Sequence, residues 1–344
     1  MPDRTVLSWQ NKTIAATGDL RGPLMMALPV AALWFLWQWL SLPGLAAAQA
    51  NLSPFLRFAL DKGRYMPDFG LIIAGFAAFH FQRGLKLEWD GKLARRLYFR
   101  LLAPLLAYAL LALILFELVA AAGPGHRMSP LWSDPLTAPA FWVMATVLVT
   151  LILLPPMLYL AWTAIPDICW AGVAVCLAFY GLSFQEGFHH HLWLWPINAM
   201  VDFILGIFLC ASLFRGVEYI ASVRGPAIIL GWVALLAGSI LTGPGLFFLG
   251  FIMILSGMAV GERSWYLIGE KGLLAWSRTA LAFALMQPAV FAAWLAWGGV
   301  HLRPLWLEGL ILAVVTQVLA VIAYALVMGI IMVPVRRVFA APAA

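Results

Sequence analysis

The sequence predicts an all-α, polytopic integral membrane protein of about ten transmembrane helices with both termini in the cytosol. Three observations carry that expectation. Of the 344 residues, 64% are hydrophobic and only 10% are charged, too little polar surface for a soluble domain of this length. Apolar runs of roughly 20 residues recur along the whole chain, the length at which a helix rising about 1.5 Å per residue crosses a hydrocarbon core of about 30 Å. The basic residues also sort by side. With the N-terminus cytosolic, 16 of the 21 Lys and Arg fall in cytosolic segments and 5 in outer loops, the asymmetry that fixes orientation.

In order, the expected spans are 24–42, 66–82, 97–121, 138–162, 168–184, 194–214, 226–242, 246–262, 273–297 and 306–335. Residues 1–23 mix Asp3, Arg4, Lys12, Asp19 and Arg21, and the first apolar run ends in bulky residues. The opening segment therefore reads as a cytosolic N-terminal segment and not a cleavable signal. Residues 45–60 are a candidate surface helix leading into the second span. The seventh and eighth spans separate at Gly243-Pro244-Gly245, a turn signal between two runs too long for one helix. No repeat or long linker interrupts 24–337, which is expected to form one membrane domain, with 338–344 as a cytosolic tail. The pI near 9.4 does not imply nucleic acid, because the charge lies in short connectors between apolar runs. Cys169, Cys176 and Cys210 lack metal-ligand spacing and read as small packing residues. The 17 Trp and 22 Phe suit interfacial belts and lipid-facing surface.

The densest positive charge lies between Asp68 and Pro104. There an apolar run passes through Arg83, Lys86 and Lys92 to Arg95 and Arg96. If 91–100 is helical, Lys92, Arg96 and Arg100 lie within an arc of about 80°. Such a stripe at a cytosolic helix end either grips phosphates bidentately or anchors the chain against lipid headgroups.

Ionisable residues inside spans are functional suspects. Glu117 lies near the outer end of the third span, where snorkelling to the interface is the alternative. Asp202 lies deeper in the sixth span, with Asn198 one turn before it, and a structural hydrogen bond between helices competes with a catalytic role. His189-His190-His191 follows Glu186 in an outer loop. Consecutive residues cannot all address one ion, and only His189 and His191 share a face in an extended chain, so no metal site is expected and a polar patch facing an acceptor is the reading. Met25-Met26 and the Trp34, Trp37 and Trp39 cluster read as packing and interface anchoring. No phosphate-binding loop, zinc-protease motif, nucleophile elbow or dinucleotide fingerprint stands in a usable context.

The order of short motifs resembles the acyltransferase 3 family of bacterial inner-membrane O-acyltransferases, and most closely its OpgC-like glucan-succinyltransferase branch. Asp19-Leu20-Arg21 precedes the first span, one residue tighter than the family's Asp-x-x-Arg. Leu24-Met25 with Pro29 opens that span, and Ala74-Gly75-Phe76 lies in the second. Arg96, Arg100 and Pro104 follow, with one extra residue between the arginines. Phe141-Trp142 opens the fourth span, Phe203 and Gly206 stand in the sixth, and Pro334 with Arg336 and Arg337 closes the chain. The resemblance implies transfer of an acetyl or succinyl group from a cytosolic acyl-CoA-type donor to a sugar hydroxyl of an exported glucan or exopolysaccharide. Arg21, Arg96 and Arg100, with Lys92 beside them, would hold the donor's phosphates. It implies a multi-pass location in the bacterial inner membrane. It implies no tightly bound cofactor and no nucleic acid, and a polysaccharide synthase or export complex as a possible partner.

Three positions depart from the family. Its first-helix His falls at Ala31, its second His at Gln287, and its terminal Glu at Met332. Neither Ala nor a Gln amide accepts a proton at neutral pH. The substitute bases in the sequence are Asp202, Glu117, His189 and His191. The alternative is a catalytically degenerate member acting as an accessory subunit in polysaccharide synthesis or export. A transporter is the third reading, but the paired Gly- or Pro-broken spans of repeat-built transporters are not evident.

Overall fold

The computed structural model describes residues 21–42, 45, 52–82, 103–122, 157, 160–161, 166–185, 195–215, 217–240, 244–259, 277–296 and 305–334. Among these residues the regular structure is all helical, with no strand. The helices are α1 (Arg21–Leu40), α2 (Pro54–Lys62), α3 (Met66–Gln82), α4 (Ala103–Ala122) and α5 (Pro166–Gln185). Next come α6 (Trp195–Arg215), α7 (Val217–Ile240), α8 (Pro244–Ala259), α9 (Ala280–Ala296) and α10 (Leu305–Leu326). A π-helical turn, Val327–Ile331, continues α10. Two helices, Gly22–Leu40 and Trp306–Pro334, are long and apolar enough to cross a membrane by length and composition.

Local chemistry accounts for several boundaries. Ser53 starts α2: its Oγ accepts the Leu56 N–H at 3.4 Å, its carbonyl accepts the Arg57 N–H at 2.9 Å, and Pro54 occupies the first helical position, where its missing N–H costs nothing. Pro244 opens α8 in the same way. α7 begins nine positions earlier than the expected span, at Val217 instead of 226, and carries Pro226 inside it. In apolar helices an internal proline is tolerated where neighbouring groups satisfy the freed carbonyl, so Pro226 does not mark a start. Hydroxyls within the apolar helices bond back to their own backbone: Ser239 to the Leu235 carbonyl, Ser256 to Ile252 and Thr316 to Leu312, at 2.6–2.7 Å.

The chain divides into two compact units. One comprises 1–29, 68–87 and 156–277, the other 30–67, 88–155 and 278–344. In the first, α7 and α8 form a tight hairpin. A Cβ on Gly250 would stand 2.6 Å from the Gly231 carbonyl oxygen, and one on Gly231 would stand 2.9 Å from that of Gly250, so only glycine permits this approach. α3 and α6 meet more closely still. The place of a Cβ on Gly75 is taken by the Phe203 carbonyl, and that on Gly206 by the Ile72 carbonyl. Phe69 then stacks on Phe251 at 3.9 Å and meets the edge of Phe248 at 4.6 Å.

In the second unit, Phe35 of α1 lies between Phe291 (5.2 Å) and Phe283 (5.7 Å) of α9. The Trp39 ring rests on Gly309 of α10, where a Cβ would meet it at 2.8 Å. α9 and α10 are joined by the Gln317 amide donating to the Thr279 hydroxyl at 3.0 Å. The outer faces are apolar: Leu106, Leu110, Ile114 and Leu118 line one stripe of α4, and Val314, Val318 and Val321 lie on α10, all exposed. Surface of this kind is unfavourable in water and natural against lipid.

Candidate functional site

Two buried polar groupings emerge, one in each unit. In the second unit, Ala31, Phe35 and Gln38 follow one face of α1 at i, i+4, i+7. Gln287, Phe291 and Trp294 follow one face of α9 at the same spacing. The two stripes are set against each other by Phe35 on Phe291 and by the Gln287 Nε2 donating to the Ala31 carbonyl at 3.2 Å. Gln287 is fully buried. Its own Oε1, the Gln38 Oε1 and the Trp294 Nε1–H are buried without a hydrogen-bond partner. One helical residue beyond Gln38, the Trp39 Nε1–H donates to the Glu308 Oε1 at 3.3 Å, and Glu308 is 0% exposed.

A buried polar atom left without a partner costs about 1–3 kcal/mol, and here two amide oxygens and one indole N–H stand so. Two acceptors and one donor are the complement of hydroxyl groups, which donate and accept at one atom. Glu308 adds the one carboxylate of this grouping, at its Trp39 end.

The second grouping lies in the first unit. Asp202 is 0% exposed, and neither carboxyl oxygen meets a hydrogen-bond donor. Its polar neighbour is the carboxyl of Asp68, within side-chain hydrogen-bond reach. The Cys176 thiol of α5 lies within electrostatic range of it. Among the described residues, no group of three His, Cys, Asp or Glu is placed to hold a metal ion.

Of the residues singled out in the sequence, Asp202 is thus buried beside a second carboxyl, whereas Glu117 is exposed on α4. Arg21 is the first residue of α1. Lys92, Arg96, Arg100, His189 and His191 lie outside the described residues. The positions of the family's two His residues, Ala31 and Gln287, touch each other across 256 residues of sequence. Sequence reasoning missed Asp68, Gln38, Trp294 and Glu308. Asp68 has a signal in hindsight: with Ile72 and Gly75 it forms a stripe on one face of α3. Gln38 and Trp294 had none, since their meaning depends on the facing helix. Comparison with known proteins finds no matching family model, no matching curated protein and no matching solved structure.

Proposed function

We propose that this chain is a ten-span inner-membrane O-acyltransferase that moves an acyl group from a cytosolic acyl-CoA-type donor to a sugar hydroxyl of an exported glucan or exopolysaccharide. One observation carries the reading. Ala31 and Gln287, the two positions that the resemblance assigns to the reaction centre, are in contact, in a buried grouping whose open hydrogen-bonding atoms complement hydroxyls. The sugar lies along α1 and α9, with hydroxyls donating to the Gln287 and Gln38 amide oxygens and accepting from the Trp294 indole.

Attack of a hydroxyl oxygen on the thioester carbonyl forms the ester C–O bond, breaks the C–S bond and moves the hydroxyl proton to the departing thiolate. A general base assists by taking that proton during attack. Gln287 cannot serve. Glu308 is a buried carboxylate of this unit that accepts from Trp39, and it takes the role ahead of the exposed Glu117. Ala31 and Trp39 are eight residues apart, about 12 Å along the helix, a length over which one bound oligosaccharide meets both the Gln287 amide and the Glu308 carboxylate. Arg21, Lys92, Arg96 and Arg100 hold the donor's phosphates on the cytosolic side. The loss of both family His residues favours a second reading, a silent relative serving a polysaccharide synthesis or export complex.

The test is to delete the gene and quantify ester-linked acyl groups on the host's exported glycans. Complementation then uses wild type, Glu308→Gln, and Arg96→Ala with Arg100→Ala. The transferase reading expects ester loss on deletion, restored by wild type alone. Unchanged esters on deletion overturn it, and a fall in polymer amount with normal ester density supports the accessory role.

A further inference from the structure

The carboxyl pair in the first unit is not used by the transfer reaction, which is balanced in protons without it. Asp202 sits on α6 one turn before Gly206, and Asp68 sits on α3 one turn before Ile72. The crossing of these helices is backbone against backbone at Gly75 and Gly206, which brings together the turns that carry the two side chains. Phe69, stacked on Phe251 and edged by Phe248, covers the start of α3 next to Asp68. The side chain of Asp202 is fully enclosed and meets no donor.

An ionised carboxyl is an acceptor only, whereas a protonated one carries one O–H donor. Two carboxyls in hydrogen-bond reach of each other, one of them without any other donor, are therefore joined only if a proton lies between them. A bare charge enclosed in apolar surroundings is far too costly to stand alone, and two at this separation repel. The titratable neighbour facing the pair from α5 is Cys176. From α8 the pair meets an element with no titratable residue between Pro244 and Ala259. His80 lies at the opposite end of α3, twelve residues from Asp68 and so about 18 Å along the axis.

We propose that Asp68 and Asp202 form a proton-binding site, holding one proton between the two carboxyls and exchanging it with water. In the bound state one Asp is the acid and donates its O–H to the other, the carboxylate. Release transfers the proton to water and leaves a charged, enclosed Asp202 carboxylate beside Asp68, which loosens the α3–α6 crossing. The pair thereby couples protonation to helix packing in this unit.

The full-length protein in lipid nanodiscs, studied by infrared spectroscopy across a pH series, tests this. Wild type should show a protonated-carboxyl carbonyl band that shifts in D2O, shifts again when aspartate carboxyls are isotopically labelled, and disappears as pH rises. Asp68→Asn and Asp202→Asn should each lose that titrating band yet keep the fold, because the Asn amide supplies a permanent donor to the remaining carboxylate. The thermal unfolding midpoint of wild type should drop once the band is gone, while those of the Asn variants should not follow pH over that range. No titrating aspartate band in wild type, a result that needs no variant, overturns the proposal. So does a band that survives unchanged in both Asn variants. Neither outcome bears on acyl transfer, which is read on glycan esters.

Discussion

Gln287 is buried, bonded on one side to the Ala31 carbonyl and open on the other. If it were there for stability, replacing it would cost about 1 kcal/mol; if it is kept for a ligand, the unsatisfied oxygen is a standing cost that an apolar isostere removes. Gln287→Leu is therefore expected to unfold at the same or a higher temperature than wild type while losing ester formation on the glycan. A lower unfolding temperature with normal ester content would mark Gln287 as structural. Lys62 offers a second test at this scale. Burial at the end of α2 holds its amine below the ordinary 10.5; Asp61 opposes that shift and Arg64 adds to it. The unfolded chain then binds more protons than the folded one between the depressed value and 10.5, so stability rises with pH across that window. Lys62→Met should raise the unfolding midpoint near neutral pH, where the buried charge is penalised, and the advantage should shrink as pH climbs toward 10.5. A gain independent of pH would assign the effect to packing instead.

At the scale of elements, much was legible because apolar run length reports helices directly. α3 occupies 66–82 as expected, and α5, α6 and α8 lie within a few residues of their predicted places. The misses have physical reasons. Proline reads as a boundary in a water-exposed helix, so the start of α7 was placed at Pro226 although the helix begins at Val217. The expected surface helix at 45–60 is α2, Pro54–Lys62, displaced toward the Ser53-Pro54 start signal. Gly75 and Gly206 were legible as motif residues, but what each does depends on the facing backbone. Their contact makes a sharp prediction. Gly206→Leu places a side chain where the Ile72 carbonyl lies, and overpacking of this kind typically costs about 1–3 kcal/mol. The yield of folded, monodisperse protein should fall severalfold, whereas Gly70→Ala on the facing helix α3, with open space at its Cβ, should leave it unchanged. Equal yields would contradict the close crossing. Asp68 escaped sequence reading because an acidic residue in a first turn is ordinary helix chemistry; only Asp202 opposite gives it a second meaning.

For the molecule as a whole, composition made the all-helical class legible; two helices are long and apolar enough to cross a membrane, and the exposed apolar faces of α4 and α10 accord with the expected membrane protein. The proposed orientation is checked by reporter fusions active only outside the cytosol. A fusion after Lys86 should be silent and one after Arg127 active; the reverse pattern would invert every inside and outside assignment made for the donor and the acceptor. The functional assignment was less legible. Ala31 and Gln287 could be paired in the sequence only through a family resemblance, and the structure brings them into contact without supplying a base between them. In the proposed reaction Glu308 fills that gap, and the central claim stands or falls with it. The most direct measurement reconstitutes the purified protein in sealed liposomes, supplies a labelled acyl-CoA-type donor on the cytosolic side and a glucan on the other, and counts base-labile label on the glucan. The account predicts transfer by wild type, and at least about a hundredfold less by Glu308→Gln, the loss expected of a general base, with the unfolding midpoint preserved because the amide oxygen still accepts from Trp39. No label on the glucan with folded wild type, or full transfer by Glu308→Gln, would contradict it.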